Sequence, residues 1–355
     1  MITGYIVIGL FVLTALISLL ERYTGKYTQP LYILLGVVLI LVAGLREIGI
    51  DPDSINYEYS FLHYNSGSQS ITDYVEFSFI WISAIINQFT NDVHALFVVY
   101  AVLGLGLKFV AFRRLTEFWF LPVLVYLGDY YITHEMMQIR TGVLSGFFLL
   151  AIYYQVEHRK MMACLLILIG SCFHYSGFIL LPLLFLSSDY MSRKKRLLWV
   201  SALPISYVIF FLGVGILMSL DIPLIGAKLA AYQASEEQGR GTGYVNVFRP
   251  LHLFTIALML YLLCFYDTIV EKSKYFTLLF KIFIIGLCSY QVFGFLPVLA
   301  QRVNMLLLVV TIPLFTYIYY TIRPVWAAIL TVIFIAFIYL NYRITLISTV
   351  IFWEA

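Results

Sequence analysis

A chain of 355 residues that is 62% hydrophobic and only 12% charged has too little polar surface to be a soluble domain. Apolar runs long enough to cross a bilayer recur along the whole length, which predicts an all-α polytopic membrane protein; the short alternating segments of an outer-membrane barrel are missing. The formal net charge of +3 says little until it is divided between the two sides of a membrane.

The opening stretch, "MITGYIVIGLFVLTALISLL", lacks a basic start and a small-residue cleavage site, so it reads as a first span rather than a signal peptide. Lys and Arg collect on the cytoplasmic side of membrane proteins. The clusters Lys108/Arg113/Arg114, Arg159/Lys160, Arg193/Lys194/Lys195/Arg196 and Lys272/Lys274, with the weaker Arg22/Lys26 and Arg323, are therefore placed inside. Spans then fall at 4–20, 29–45, 94–112, 115–131, 137–156, 197–219, 249–268, 275–293, 300–321 and 325–345, with both termini outside. Residues 76–89, "EFSFIWISAIINQF", must begin and end outside and are short for a span, which predicts an interfacial or re-entrant helix. Residues 161–187 lie between two basic clusters and are too few for two crossings of ~20 residues each. Their middle, "SCFHYSG", reads as a break, so a broken helical hairpin with His174 near its tip is expected over 161–187. The whole is read as one membrane domain, 1–355, with external loops 46–75 and 220–247. The four cysteines, Cys164, Cys172, Cys264 and Cys288, lie in apolar segments and read as small buried hydrophobes; no repeat of fixed period is found.

On this topology seven of the 22 basic residues face outside: Arg46, Arg140, Lys228, Arg240, Arg249, Arg302 and Arg343. All but one are arginine, the side chain suited to bidentate binding of phosphate or carboxylate. Arg46, Arg140 and Arg302 stand at helix ends rather than in open loops, a costly place for a charge. Asp51, Asp53, Glu58, Asp73, Asp129, Glu135, Glu236 and Glu237 share that face, so each arginine has a structural ion pair as its plainer explanation. For Arg343, near the end of the last span, snorkelling to the interface suffices. Arginines and carboxylates together at the mouths of several helices suit a site that handles an anionic lipid headgroup and a proton transfer.

Three stretches in order resemble the EpsG/Wzy family of membrane polysaccharide polymerases. The first is Arg46 followed by "GIDPDSINY", similar to the family's Arg…Gly-x-Asp…Tyr pattern, although Pro52 and a second acid intervene between Asp51 and Tyr57. The second is "MQIRTGVLSGFFLLAIYYQVEHRKMMACLLILIGSCFHYSGFILLPLLFL", with an Ile-Arg-x-Gly opening, a span, a basic turn and a closing Phe-His-x-Ser. The third is "LPVLAQRVNMLLLVVTIP", like the family's late arginine opening a penultimate span. The loop "KLAAYQASEEQGRGTGY" is loosely similar to its tyrosine-containing external loop. The resemblance covers roughly residues 30–320. It implies about 10–12 transmembrane helices of GT-C-like glycosyltransferase architecture and an enzyme on the outer face of a bacterial inner membrane. Such an enzyme transfers a growing glycan from undecaprenyl diphosphate to a lipid-linked repeat unit. The partners implied are an undecaprenyl-diphosphate-linked oligosaccharide, the lipid bilayer, a flippase and a chain-length regulator, with no nucleic acid.

Within that frame Arg140 and Arg302 are the first choices to grip a diphosphate, because preorganised guanidiniums stabilise a leaving group that gains charge. Arg46 is next, helped by Arg240 and Arg249 from the long loop. His174 is a candidate base, since imidazole titrates in the useful range, with Asp51 and Glu135 as competitors. Tyr57 and Tyr232 could stack on sugars, against a background of 28 tyrosines. No cofactor is expected, and no metal: the two carboxylates of Asp51 and Asp53 are a thin ligand set. Gly142 and Gly146 are explained by close helix packing. An O-antigen ligase keeps the enzyme class but usually carries a larger external domain. A flippase or transporter of an anionic solute would want its cations near the bilayer midplane.

Overall fold

The computed structural model describes residues 2–51, 53–64, 76–219 and 245–353, with the side chains of all but 2–3, 214–219 and 346–353. The described residues are almost entirely helical and contain no strand, as a chain without water for its backbone groups must be. Among them five helical stretches are long and apolar enough to cross a bilayer: Gly4–Gly44, Val93–Leu115, Ile139–Val156, Arg193–Gly213 and Val325–Thr345. Pro297–Leu308 with Thr311–Tyr320 makes a sixth if the two are taken as one broken span. The first stretch holds two of the predicted spans, α1 (Ile2–Thr24) and α2 (Thr28–Gly44), parted where Gly25 takes φ +50°. The fold is that of a polytopic membrane protein.

The described chain divides into two compact units, one of residues up to 186 with 271–275 and 312 onward, the other of 187–270 and 276–311. In the first, α3 (Ser54–Leu62) and α4 (Phe77–Ile86) are short helices, and α5 (Val93–Leu115) is a full span. Then follow α6 (Leu121–Asp129), a π-helical turn (Ile132–Met137), α7 (Ile139–Val156) and α8 (Lys160–Phe173). A 3-10 segment (Tyr175–Phe185) completes the run, and α15 (Val325–Trp353) packs back onto α6. In the second unit α9 (Arg193–Ser219), α10 (Pro250–Cys264), α11 (Tyr266–Val270), α12 (Phe276–Val292) and α13 (Pro297–Leu308) occur in that order, followed by the short α14 (Thr311–Thr316) where the chain passes back to the first.

Close backbone approach sets the centre of the first unit. Helices α5 and α7 run parallel: Ile139 packs with Phe97 and Tyr100, and further along Gly146 meets Leu107. A Cβ on Gly146 would lie 2.7 Å from that of Leu107, and one on Gly142 would strike the His134 carbonyl, so small residues are required here. Helix α8 packs on α7, and its last turn gives way at His174, whose backbone is extended (φ −154°, ψ 121°).

Three expectations change. The predicted span 115–131 is helical only over Leu121–Asp129, and Thr116 is extended. Hydropathy does not distinguish a helix from an apolar linker. Here the Glu21 carboxylate of α1 accepts from Trp119 N (2.9 Å) and Phe120 N (3.3 Å), satisfying amides at the start of α6 and fixing where that helix begins. Lys108, assigned to a cytoplasmic cluster, is wholly buried on α5. Its Nζ donates to Glu135 Oε1 (2.5 Å) and to the Gly142 carbonyl (2.7 Å). It lies fifteen residues into the helix, about 22 Å from the start, so a cation this deep needs a partner. Arg113 and Arg114 do stand in the last turn of α5, over the rings of Trp119 (3.7 Å) and Tyr153 (5.4 Å). All four cysteines are free, but none is fully buried and Cys264 is exposed, so they line helix surfaces rather than a core.

Candidate functional site

Arg140 opens α7, and its guanidinium Nη1 is hydrogen-bonded to Glu76 Oε2. The other oxygen of the same carboxylate, Oε1, lies 2.6 Å from His174 Nδ1. Glu76 is the residue immediately before α4, and its side chain is 5% exposed, against 21% for Arg140 and 19% for His174. One carboxylate therefore joins three separate elements, the start of α4, the start of α7 and the break after α8. The arginine and imidazole it holds remain reachable.

Aromatic rings hold this cluster from below. Tyr57 of α3 lies with its ring 5.8 Å from the Arg140 guanidinium carbon. It stacks on Phe79 of α4 at 5.9 Å, Phe79 packs on Tyr100 of α5 at 6.1 Å, and Tyr100 meets Phe173 edge-on at 6.1 Å. Asn87, at the end of α4, donates to the Phe61 carbonyl of α3 (3.2 Å), which keeps the two short helices together. Because Ile139 is level with Phe97 and Tyr100, the Arg140 cluster sits about 6–10 Å along α5 from its start at Val93.

The electrostatics follow from these contacts. Burial works to raise the Glu76 carboxyl, but the His174 hydrogen bond and the Arg140 charge outweigh it and hold the group below the ordinary carboxylate value. Burial lifts the Tyr57 phenol above its usual value against the pull of Arg140, so the hydroxyl keeps its proton. The cluster is an ionised carboxylate between a guanidinium and an imidazole, over a neutral phenol.

The other predicted residues are placed as follows. Arg46 is buried, and its guanidinium donates to Asp51 Oδ2 (3.1 Å), the Ala43 carbonyl (2.7 Å) and the Met136 carbonyl (2.6 Å) while lying 3.9 Å over the Phe97 ring. Asp51 Oδ1 accepts from Asp53 N (3.1 Å) and Ser54 N (2.8 Å), an Asx-type turn that starts α3. Gly49, at φ +86°, supplies the left-handed step this tight return needs and donates to Ser54 Oγ at 2.8 Å. Arg46 and Asp51 thus tie the loop after α2 to the π turn. Phe97, beneath Arg46, meets Tyr57 edge-on at 6.5 Å, so the two arginines lie on neighbouring rings of one aromatic layer. Glu135 is buried in the π turn against Lys108 and the Tyr126 hydroxyl. Arg343 does not snorkel: its Nε donates to Asp129 Oδ1 at 2.7 Å and joins α15 to α6.

Arg302 and Arg249 belong to the second unit. Arg302 is exposed on α13. Arg249 precedes α10, is half-buried, and has its guanidinium 5.4 Å from the Tyr290 ring. Tyr290 also packs on His252 (4.7 Å), and His252 Nε2 is 2.7 Å from the Gln291 side-chain amide. Arg240 and Tyr232 lie outside the described residues. Among the described residues no group of three His, Cys, Asp or Glu side chains could hold a metal ion.

Two residues escaped the sequence reading. Glu76 was visible as the acid heading an otherwise apolar helix, but nothing local connects it to Arg140, 64 residues on, or to His174, 98 residues on. Lys108 was visible as a cation five residues short of the true basic pair Arg113/Arg114, inside an apolar run.

The fold defines an all-helical integral membrane protein, and the described residues hold a half-buried cluster of Glu76, Arg140 and His174. The chain belongs to the EpsG family, whose model matches residues 30–353, nearly the whole sequence. Members of that family are Wzy-like polysaccharide polymerases, which makes this chain a membrane polysaccharide polymerase in general terms, acting on lipid-linked oligosaccharide. No curated protein and no solved structure matches it.

Proposed function

We propose that the chain is a glycosyltransferase that polymerises a bacterial surface polysaccharide, O-antigen or similar, on the outer face of the inner membrane. The donor is the growing glycan on undecaprenyl diphosphate and the acceptor is a lipid-linked repeat unit. A hydroxyl oxygen of the acceptor sugar forms a bond to the anomeric carbon of the donor. The bond from that carbon to the diphosphate breaks, and its electron pair departs on undecaprenyl diphosphate. The hydroxyl proton goes to His174 Nε2. Arg140 steadies the diphosphate as it gains charge; Tyr57, expected to stack on a sugar, is buried against Phe79 and Phe97 and supports Arg140 from beneath instead. Arg46, Asp51 and Glu135 serve the framework rather than the chemistry, because their polar atoms are engaged within it. A flippase would deliver the repeat unit, and a chain-length regulator would end growth.

The observation that carries this reading is the proximity of Arg140 and His174, held by two oxygens of one carboxylate at a partly open position. An anion-binding group and a base are thereby kept within a single sugar–phosphate linkage of each other. The test is glycosyl transfer in detergent with a lipid-diphosphate-linked repeat unit, comparing wild type with folded Arg140→Ala and His174→Ala. Wild type should extend the glycan, and both variants should lose at least about 100-fold in rate. A wild type that makes no polymer but moves the intact lipid-linked unit across liposomes would make the arginines part of a transport path and overturn the assignment.

A further inference from the structure

Glu76 has two neighbours of opposite hydrogen-bonding demand. A guanidinium only donates, so the oxygen facing Arg140 must accept. An ionised carboxylate only accepts, so the ring nitrogen facing its other oxygen, His174 Nδ1 at 2.6 Å, must carry a proton. Arg140 and His174 both favour the ionised form, and the carboxyl is held below its ordinary value. In a neutral imidazole a proton on Nδ1 leaves the lone pair on Nε2. Among the described residues, the charged and titratable groups around the pair are Arg140 from α7, Tyr57 from α3 and Tyr100 from α5, and none of these three accepts from Nδ1 in place of Glu76.

We infer that Glu76 is a positioning residue: its carboxylate locks His174 in the Nδ1–H tautomer, with Nε2 as the proton-accepting nitrogen, and aligns Arg140 beside it. This rests on the reading of His174 as the base. Proton transfer to Nε2 turns the ring into an imidazolium, and Glu76 then faces a full positive charge at Nδ1 without moving. No group has to reorganise as that charge appears, which is what lowers the barrier. The same carboxylate connects the anion-holding arginine to the base, so their spacing is set by one side chain.

The discriminating variant is Glu76→Gln, which keeps size and shape. Arg140 must still face an oxygen, so the amide NH2 turns to His174. Nδ1 then has to accept, and the imidazole proton is driven to Nε2. A merely structural Glu76 would leave the tautomer alone. The experiment is 15N imidazole NMR on the full chain, histidine-labelled in detergent, with the His174 signals identified among the six histidines by their loss in His174→Ala. Wild type should show the Nδ1–H tautomer and Glu76→Gln the Nε2–H tautomer. Transfer turnover should fall about 10²–10⁴-fold in the variant, with KM for the lipid-linked unit within about threefold. Wild-type His174 protonated at Nε2 overturns the inference whether or not the variant folds, as does Glu76→Gln with unchanged tautomer and turnover. The tautomer measurement needs no glycan, so the lock and the polymerase reading fail independently: a wild type that makes no polymer removes the second, while the tautomer seen by NMR still decides the first.

Discussion

Removing either partner of the Lys108–Glu135 pair should cost far more than removing both. The two side chains are 0% and 1% exposed, with Nζ 2.5 Å from Oε1, and the Tyr126 hydroxyl donates to the same oxygen. Unit charges about 3 Å apart at an effective dielectric of about 20 attract by roughly 5–6 kcal/mol, and desolvation cancels most of that in the intact pair. Lys108→Met leaves the carboxylate with only the Tyr126 hydroxyl, and Glu135→Gln leaves a buried ammonium with only carbonyl and amide oxygens. Each should destabilise by about 3–5 kcal/mol. The double variant Lys108→Met/Glu135→Gln removes both charges and should fall within about 2 kcal/mol of wild type, well short of the sum of the singles. Equilibrium unfolding in mixed detergent micelles at neutral pH reads all four proteins. Strictly additive losses, or a Lys108→Met cost under about 1 kcal/mol, would refute the claim that the charges are buried and mutually dependent.

Arg46→Ala should act on folding rather than on substrate. It strands Asp51 and two backbone carbonyls in a buried place, so a loss of about 3 kcal/mol or more is expected by the same unfolding assay, while folded molecules keep a near-normal KM. A folded Arg46→Ala of wild-type stability with a KM raised tenfold would place Arg46 on the substrate instead. Glu76 makes stability depend on acid. Its folded-state pKa is depressed, so its contribution is fully present above the unfolded value of about 4.3 and is lost as pH falls through the lower folded-state value. Wild type should therefore lose more melting temperature than Glu76→Gln between about pH 5 and pH 3. Parallel pH curves for the two proteins would show that the carboxylate gains nothing from Arg140 and His174.

Apolar runs told where helices form. A backbone in hydrocarbon has to satisfy its own hydrogen bonds, so the runs at 29–45, 94–112, 137–156, 197–219 and 325–345 each fall on a long helix. The break at "SCFHYSG" was legible for a similar reason: a polar cluster with Gly and His interrupts an otherwise helical pattern, and the backbone is extended at His174. The same reasoning failed at 115–131, because a carboxylate 98 residues away in sequence fixes the start of α6. It failed at Lys108 because a cation near a helix end and a cation pairing within the bilayer look alike until the partner is known.

For the candidate site, the sequence alone marked Arg140 and His174, since cations and a lone imidazole in apolar surroundings are too costly to be incidental. It could not bring them together. Their meeting depends on α8 returning along α7, on α4 starting with Glu76 in reach of both, and on glycines letting α5 and α7 close up. Nor could it separate Arg140 from Arg46, two arginines that the charge pattern puts in similar contexts. One has its donors engaged by Asp51 and the Ala43 and Met136 carbonyls inside the fold, and the other stands partly open beside a carboxylate and an imidazole. Composition and periodicity act locally and determined the membrane class and most of the helices. Which charges are neutralised within the protein is a matter of partners tens of residues apart, and only the tertiary structure decided it.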